Sequence, residues 1–399
     1  MNVLFLTLVK FNSLKIHGIY TDILRAFIKQ GHNVYVISPI ERREKEESNI
    51  ICEENAMILR QKIGNIQKTN IVEKGISTIL LEHIYKKAIR RHFSETKFDL
   101  IIYSTPPITL VNAVKYVKMR DHAKTYLLLK DIFPQNALDI GMLSVSGLRG
   151  ILYNHFREQE KKLYQISDRI GCMSQANVDY VIQHNPEINP KIVEICPNCI
   201  DPVDKSVDAE TRDNIRLKYG IPDNKMVFVY GGNLGKPQGI PFLIECVNKC
   251  QTIEDAFFLI VGDGTEYHLL EEYVNTNHPK NMKLMKRLPK DDYDTMIGAC
   301  NVGLIFLDHR FTIPNFPSRM LSYMAAKLPV LACTDPNTDI GNVIVDGGFG
   351  WWCESNDAEA FVSLVRNVVN LNLTEIGINA YRYLEENYTA NRAYSIIVS

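Results

Sequence analysis

Two α/β domains, each built on a parallel β-sheet, are predicted for this chain by three observations. Short apolar runs alternate with helix-like segments, the runs are apolar throughout rather than alternately polar, and the rhythm breaks once near the middle. A strand without polar alternation is covered on both faces, as in a sheet flanked by helices. The length of 399 residues agrees, being too great for one ordinary core and suited to two or three domains of ~100–200 residues.

The runs predict strands in order: "VLFLTL" from Val3, "VYVIS" from Val34, "LIIYS" from Leu100, "YLLL" from Tyr126, "MVFVY" from Met226, "FFLIV" from Phe257, "VGLIF" from Val302 and "VLA" from Val330. Between them, helical patterns run from Ile19 to Gln30, Ile108 to Arg120, Gly147 to Ser167, Ile240 to Cys250, Tyr293 to Cys300 and Ala358 to Asn370. The rhythm breaks at "CPNCIDPVDKSVDAETRDN" from Cys196, where Pro, Asn and Asp mark an interdomain linker. Two such domains facing one another would hold ligand at the carboxyl ends of their strands.

Composition narrows the function. A net charge of -1 supplies no basic field for nucleic acid. No apolar run approaches the ~18 residues that read as a membrane span. Nine scattered cysteines, and no signal peptide ahead of the first strand, predict a reduced, cytoplasmic setting. The lone CxxC, Cys196 and Cys199, falls in the linker without a second pair for zinc. Cys246 and Cys250 share a helix face and read as packing residues.

The strand-to-helix junctions carry the candidate chemistry. "VYGGNLGKPQGI" places Gly231, Gly232, Gly235 and Gly239 directly after a strand, where a bare backbone can approach a bulky anion and Lys236 adds charge. The same glycines could serve a tight turn alone. The spacing is neither G-x-G-x-x-G nor a Walker motif. "NFPSRMLSYMAAKLPVLACTD" from Asn315 begins with Pro317 and Ser318 at a helix start, which turns N–H groups and the positive helix end toward an anion. In the first half, Asp131 follows "YLLL", so it either works on substrate or caps a turn; Lys130 and Gln135 are weaker companions. Gly18, before the first helix, permits close approach, and His17 beside it is either a ligand-facing or a solvated loop residue.

Together these segments resemble the family 4 retaining glycosyltransferases, whose GT-B fold sets two Rossmann-like domains face to face. "GGNLGKPQGI" resembles that family's Gly-Arg/Asn-Leu loop, "IVGDG" from Ile260 its second loop, and "PSRMLSYMAAKLPVL" the segment that ends its donor site. "LKDIFPQNALDIGML" from Leu129, "LYQISDRIGCMSQANVDYV" from Leu163 and "ICPNCIDP" from Ile195 are similar to the subgroup that builds bacterial O-antigen and capsule repeats.

The resemblance implies an acceptor-binding domain over 1–200, a nucleotide-sugar-binding domain over 201–380, and a segment 381–399 packing back on the first. It implies a retaining transfer from a UDP-linked donor to a lipid-linked saccharide, without cofactor or metal. Gly232, Asn233, Gly235, Gly262, Arg287, Leu288, Pro317, Ser318, Arg319 and Ser322 would bind the donor, with Gly18 and His17 reaching it from the first domain. Lys236 would stabilise the leaving diphosphate and Asp131 would act at the acceptor.

The chain departs from the family where two Glu residues with seven positions between them are usual, since Pro314 and Ser322 occupy those places. Asn233 stands for the usual Arg and Gln238 for the usual Lys, so Lys236 and Arg319 would restore the positive charge, assisted by Arg287 or Arg310. This keeps a sugar-nucleotide epimerase and a catalytically silent nucleotide-sugar-binding subunit in view.

Two surface features remain. Asp292-Tyr293-Asp294 forms a D-x-D that reads as helix capping rather than metal binding. Residues 79–93, "ILLEHIYKKAIRRHF", set Ile79, Leu80, Ile84, Ala88 and Ile89 against Lys86, Lys87, Arg90 and Arg91. Such a segment either packs as an ordinary helix or lies on the inner face of the cytoplasmic membrane, beside a lipid-linked acceptor.

Overall fold

The computed structural model describes residues 1–66 and 71–399, divided into two compact units: Met1–Asp201 with Ala390–Ser399, and Pro202–Thr389.

The first unit runs β1 (Asn2–Leu6), α1 (Ile19–Lys29), β2 (Asn33–Glu41), β3 (Asn49–Glu53), β4 (Ala56–Ile63), α2 (Ile71–His92), β5 (Leu100–Ser104), α3 (Val111–Asp121), β6 (Lys124–Leu129), α4 (Gln135–Asp139), α5 (Gly147–Ile166), β7 (Arg169–Cys172), α6 (Gln175–His184) and β8 (Val193–Ile195). Its described strands lie in the order β3-β4-β2-β1-β5-β6-β7-β8. All pair in parallel except β3, which runs antiparallel to β4, so the all-parallel expectation needs correcting at this edge. One face carries α2, α3 and α5 over Leu4, Ile101 and Leu127; the other carries α1 over Val3, Phe5 and Ile102.

The second unit runs α7 (Ala209–Tyr219), β9 (Met226–Asn233), α8 (Ile240–Lys249), β10 (Ala256–Asp263), α9 (Tyr267–Asn277), β11 (Met282–Lys286), α10 (Lys290–Gly298), β12 (Val302–Phe306), α11 (Arg319–Ala325), β13 (Val330–Thr334), α12 (Ile340–Asp346), β14 (Gly350–Glu354), α13 (Ala358–Val368) and α14 (Thr374–Asn387). Its sheet is parallel, in the order β11-β10-β9-β12-β13-β14. Cys246 and Cys250 are buried among Phe228, Phe258 and Phe361 in the core beneath α8 and α13.

The tail divides at a different place from the expected 381: residues 381–389 stay with the second unit, and α15 (Ala390–Val398) joins the first. There Tyr394 packs edge-on to Phe27 of α1 with 4.8 Å between ring centres, and its hydroxyl lies 2.9 Å from His32 Nε2. Cys196 and Cys199 are buried in the first unit's core, so the start of the presumed linker is packed structure. No helix among the described residues is long and apolar enough to cross a membrane.

On its apolar side the 79–93 stripe packs as an ordinary helix. Leu81, Tyr85, Ala88, Ile89 and Phe93 are buried in the unit's own core, with Ile84 packed against it, because these residues recur on the face of α2 that covers the sheet. Ile79 and Leu80 remain exposed, as do Lys87, Arg90 and Arg91, while Lys86 Nζ stands 5.4 Å from the Tyr116 ring centre.

Candidate functional site

In the second unit, parallel strands bring the predicted donor residues to one sheet edge. Gly232 and Asn233 end β9, Gly262 lies next to the end of β10, Arg287 and Leu288 follow β11, and Pro317, Ser318 and Arg319 close the loop after β12. The register pairs Gly262 with Gly232 and Asp263 with Asn233. Lys236, Arg287 and Ser318 are exposed; Leu288, Pro317 and Ser322 are half-buried.

The glycines do different work from one another. A Cβ on Gly231 would lie 1.6 Å from Tyr293 Oη, and one on Gly262 would lie 2.0 Å from the Gly232 carbonyl oxygen. The protein's own packing therefore requires both. Gly232, unlike Gly231 and Gly262, has positive φ, +126°, and the nearest atom to a Cβ there is Arg319 Nη2 at 3.6 Å. At this position the turn favours glycine, and the Arg319 guanidinium lies at ordinary contact distance from where a Cβ would stand.

Arg319 stacks on Tyr230, its guanidinium carbon 4.3 Å from the ring centre. Nη1 is buried without a hydrogen-bond partner. A buried guanidinium N–H with nothing to bond is unusual, because charged groups lose most when left unpaired. Tyr230 also fixes the loop, its hydroxyl donating to the Asn233 carbonyl at 2.8 Å. Tyr323 Oη accepts from Gly231 N at 3.2 Å and donates to Leu304 O at 3.1 Å. Burial pushes the Tyr323 phenol up to about 12 and raises Tyr230 as well. Tyr230, Tyr293 and Tyr323 were missed by the sequence reading because an aromatic at a strand end, or on the apolar side of a helix, reads as core.

The two loop substitutions meet each other. Asn233 Nδ2 donates to Gln238 Oε1 at 2.8 Å, and Gly235 N donates to the same oxygen at 3.2 Å. Arg310 is taken up by Asp308, which accepts from its Nε at 2.8 Å and Nη2 at 2.7 Å. The D-x-D is not a cap: α10 begins after Pro289, and Asp294 accepts from Lys205 at 2.6 Å and Lys290 at 2.7 Å. Its Tyr293 is the residue that turns inward, over Gly231.

In the first unit, Asp131 lies just past β6. Asn136 Nδ2 donates to its Oδ1 at 2.6 Å, and the Lys130 and Asp131 amides donate to Thr105 Oγ1 at 3.0 and 3.3 Å. Burial lifts the Asp131 carboxyl to about 6, against the pull of the Asn136 and Ile132 hydrogen bonds. Tyr20, just after Gly18, is pushed up to about 12 by burial, with the Asp131 charge adding to it. Asp131 thus shares its surroundings with the start of α1. Lys130 points elsewhere, donating to the Cys196 carbonyl at 3.1 Å.

Gly18 has extended backbone, φ 177°, and donates its N–H to Asp22 Oδ1 at 2.8 Å. His17 is exposed, and its Nδ1 is held by Arg25 Nη2 at 2.9 Å. The same Nη2 donates to Asp22 at 2.5 Å and Asp201 at 2.9 Å. His17, Asp22 and Asp201 have ligand atoms within 4.8 Å of one another, and the Arg25 cation stands among them.

Two family models match the chain: "Glycosyltransferase Family 4" over residues 20–204 and "Glycosyl transferases group 1" over residues 211–388. Among curated proteins, the chain is similar to WbjE of Pseudomonas aeruginosa, named as a glycosyltransferase, at 24% identity over 82% of this chain and 80% of that one. It is also similar to WcaI of Escherichia coli (strain K12), named as a colanic acid biosynthesis glycosyl transferase, at 23% identity over 69% and 67% of the two chains. Among solved structures, Anabaena Alr3699/HepE in complex with UDP and glucose matches with a TM-score of 0.70 at 14% identity, covering 100% of this chain and 98% of the other.

Proposed function

Because the chain belongs to the glycosyltransferases, pairing a Family 4 domain with a group 1 domain on a GT-B fold, we propose that it moves a sugar from a UDP-linked donor to a lipid-linked saccharide, with retention, in surface polysaccharide biosynthesis. The carrying observation is Arg319, held on Tyr230 and in contact distance of Gly232, with an N–H unpaired. The name of WcaI supports the polysaccharide setting, and the UDP in the HepE structure supports the donor class.

Breaking the anomeric C–O bond sends an electron pair to the diphosphate. Preorganised cations that meet that growing charge lower the barrier by several kcal/mol. Arg319 fills this role, with Lys236 approaching from the exposed turn, so no metal is called for. Gly232, Asn233 and Gly235 present backbone to the phosphates, Ser318 lies at the start of α11, Arg287 and Leu288 face the base, and Ser322 takes a ribose hydroxyl. From the first unit, Asp131 holds the acceptor hydroxyl and receives its proton, while Gly18 and His17 line the approach. Such an acceptor brings the chain to the inner face of the cytoplasmic membrane.

Titration calorimetry with UDP, followed by transfer assays with UDP-sugars and lipid-linked saccharide extracts, tests the reading. Binding with acceptor-dependent UDP release and retained anomeric configuration by NMR supports it. The absence of both family carboxylates, at Pro314 and Ser322, favours one second reading, a silent nucleotide-sugar-binding subunit. That reading predicts binding with no release on any acceptor, whereas sugar interconversion without acceptor would identify an epimerase.

A further inference from the structure

We propose that Met142, Val145, Leu148 and Ile151 form a docking face for an anionic lipid bilayer, at the start of α5 in the first unit. Their side chains are 52%, 71%, 86% and 68% exposed, within ten residues of chain. Single exposed apolar residues are ordinary, but four large ones on one short segment are not.

The segment is held, not loose, so their exposure is built in. Met142 N and Leu143 N both donate to the Ala137 carbonyl, at 2.8 and 3.0 Å. Ser144 Oγ donates to Ser146 O at 2.8 Å, and Gly150 N donates to the same carbonyl at 3.0 Å. A Cβ on Gly150 would lie 2.7 Å from the Val145 carbonyl group, so the first turn of α5 is pressed against the loop. Leu143 and Leu152 turn inward onto the core, and their neighbours are thereby turned out. Leu148 and Ile151, three apart on a helix, share one face.

Charge chemistry selects lipid as the occupant. From Gly141 to Asn154 the only charged residue is Arg149, which is exposed, and there is no acid. A protein partner would normally be met by several paired polar groups at the rim, which this segment of Ser, Gly and apolar residues does not offer. Apolar side chains with a cation and no acid suit the boundary between acyl chains and anionic headgroups.

A second exposed set lies on the same edge of the unit. Ile76, Ile79 and Leu80 of α2 are 55%, 52% and 49% exposed. Thr109 Oγ1 donates to Thr78 O at 3.0 Å and Asn112 Nδ2 to Glu82 at 2.8 Å, which fixes this part of α2 beside the start of α3. Helices α2, α3 and α5 follow β4, β5 and β6 of a parallel set on one face, so all three begin at the carboxyl edge. The membrane contact therefore belongs to the helix starts, not to the basic stripe at the end of α2. This deepens the lipid-linked acceptor reading and rests on it for its purpose, though not for its test.

The test is flotation of the whole chain with vesicles of phosphatidylcholine and phosphatidylglycerol, against phosphatidylcholine alone, with UDP binding measured in parallel. The wild type should float with the anionic vesicles. L148D/I151D, changed only at exposed positions, should lose at least tenfold in partitioning while keeping its melting temperature. K87Q/R90Q/R91Q should float like the wild type. Wild-type protein that stays at the bottom at low salt, or L148D/I151D that floats unchanged, overturns the proposal. So does a dimer by light scattering that L148D/I151D disperses, without flotation. Flotation without UDP binding keeps the surface and removes the transferase reading instead.

Discussion

The side-chain amide of Asn233 donates to Gln238 at 2.8 Å, so the two loop positions where the resembled family carries Arg and Lys form a neutral pair with each other. Gln238 is buried and also accepts from Gly235 N, and so it serves as a brace inside the turn. A brace has no charge to give a diphosphate. The positive charge at this edge then falls to Arg319 from beneath Gly232 and to Lys236 from the exposed turn.

Arg319→Ala should therefore weaken UDP binding by ~10- to 100-fold, the ~1–3 kcal/mol expected of a lost charge-assisted contact. Lys236→Ala should cost less, since its side chain is solvated before binding. Tyr230→Phe should keep the stacking but lose the hydroxyl's bond to the Asn233 carbonyl, and so fall between the wild type and Tyr230→Leu, which should approach Arg319→Ala. Calorimetry on variants with unchanged circular dichroism checks the order. Equal affinity in Arg319→Ala and wild type removes the diphosphate role of Arg319.

Gln238→Ala should loosen the turn at a cost of ~1–3 kcal/mol, because Gly235 N and the Asn233 amide both lose their acceptor. Urea unfolding measures this, and a change within error would show that water replaces the brace.

Gly231→Ala should destabilise the second unit by ~1–3 kcal/mol or more through overpacking against Tyr293. Shortening that neighbour should relieve it: Gly231→Ala/Tyr293→Ala should be less than the sum of its parts in a double-mutant cycle. Gly262→Ala has no such rescue, because the atom it meets is the Gly232 backbone carbonyl. Additive losses for the 231–293 pair would contradict the packing role.

The apolar runs from Val3, Val34, Leu100, Tyr126, Met226, Phe257, Val302 and Val330 all became strands, for they sit centrally in sheets covered on both faces. The strands not read from sequence include the edges: among the described residues β3, β8, β11 and β14 each have one side without a partner strand, and a run such as "MKLMK" of β11 carries lysines. At the site, glycine-rich junctions were readable as positions but not as reasons, since nothing local shows that Gly231 answers to Tyr293, 62 residues on. The Asn233 and Gln238 pairing was hidden likewise, because two departures from a family pattern look independent until the turn brings them together. The stripe of α2 left two readings open because amphipathic periodicity is the same whether the apolar face meets a sheet or a membrane.

Asp131 gives the last prediction, in which stability and turnover move in opposite directions. Burial raises its carboxyl from 3.8 to about 6, so the native state favours the protonated form. Between the unfolded and folded values the native chain binds more protons than the unfolded one, and stability therefore falls as pH rises from about 4 to about 6. Above about pH 6 the full cost of the buried charge is present, on the order of 2–3 kcal/mol from a shift of about two units. Asp131→Asn removes that charge and keeps the shape. It should unfold at higher urea than the wild type at pH 7.5 and show no advantage at pH 4. Turnover should behave oppositely, falling ~100-fold or more at pH 7.5 if the ionised carboxylate takes the acceptor's proton. The wild-type rate should itself decline below about pH 6, as the carboxylate is lost. UDP affinity should be unchanged, because the donor residues lie in the other unit. A variant that gains stability and keeps its turnover would make Asp131 a strained turn residue with no part in transfer.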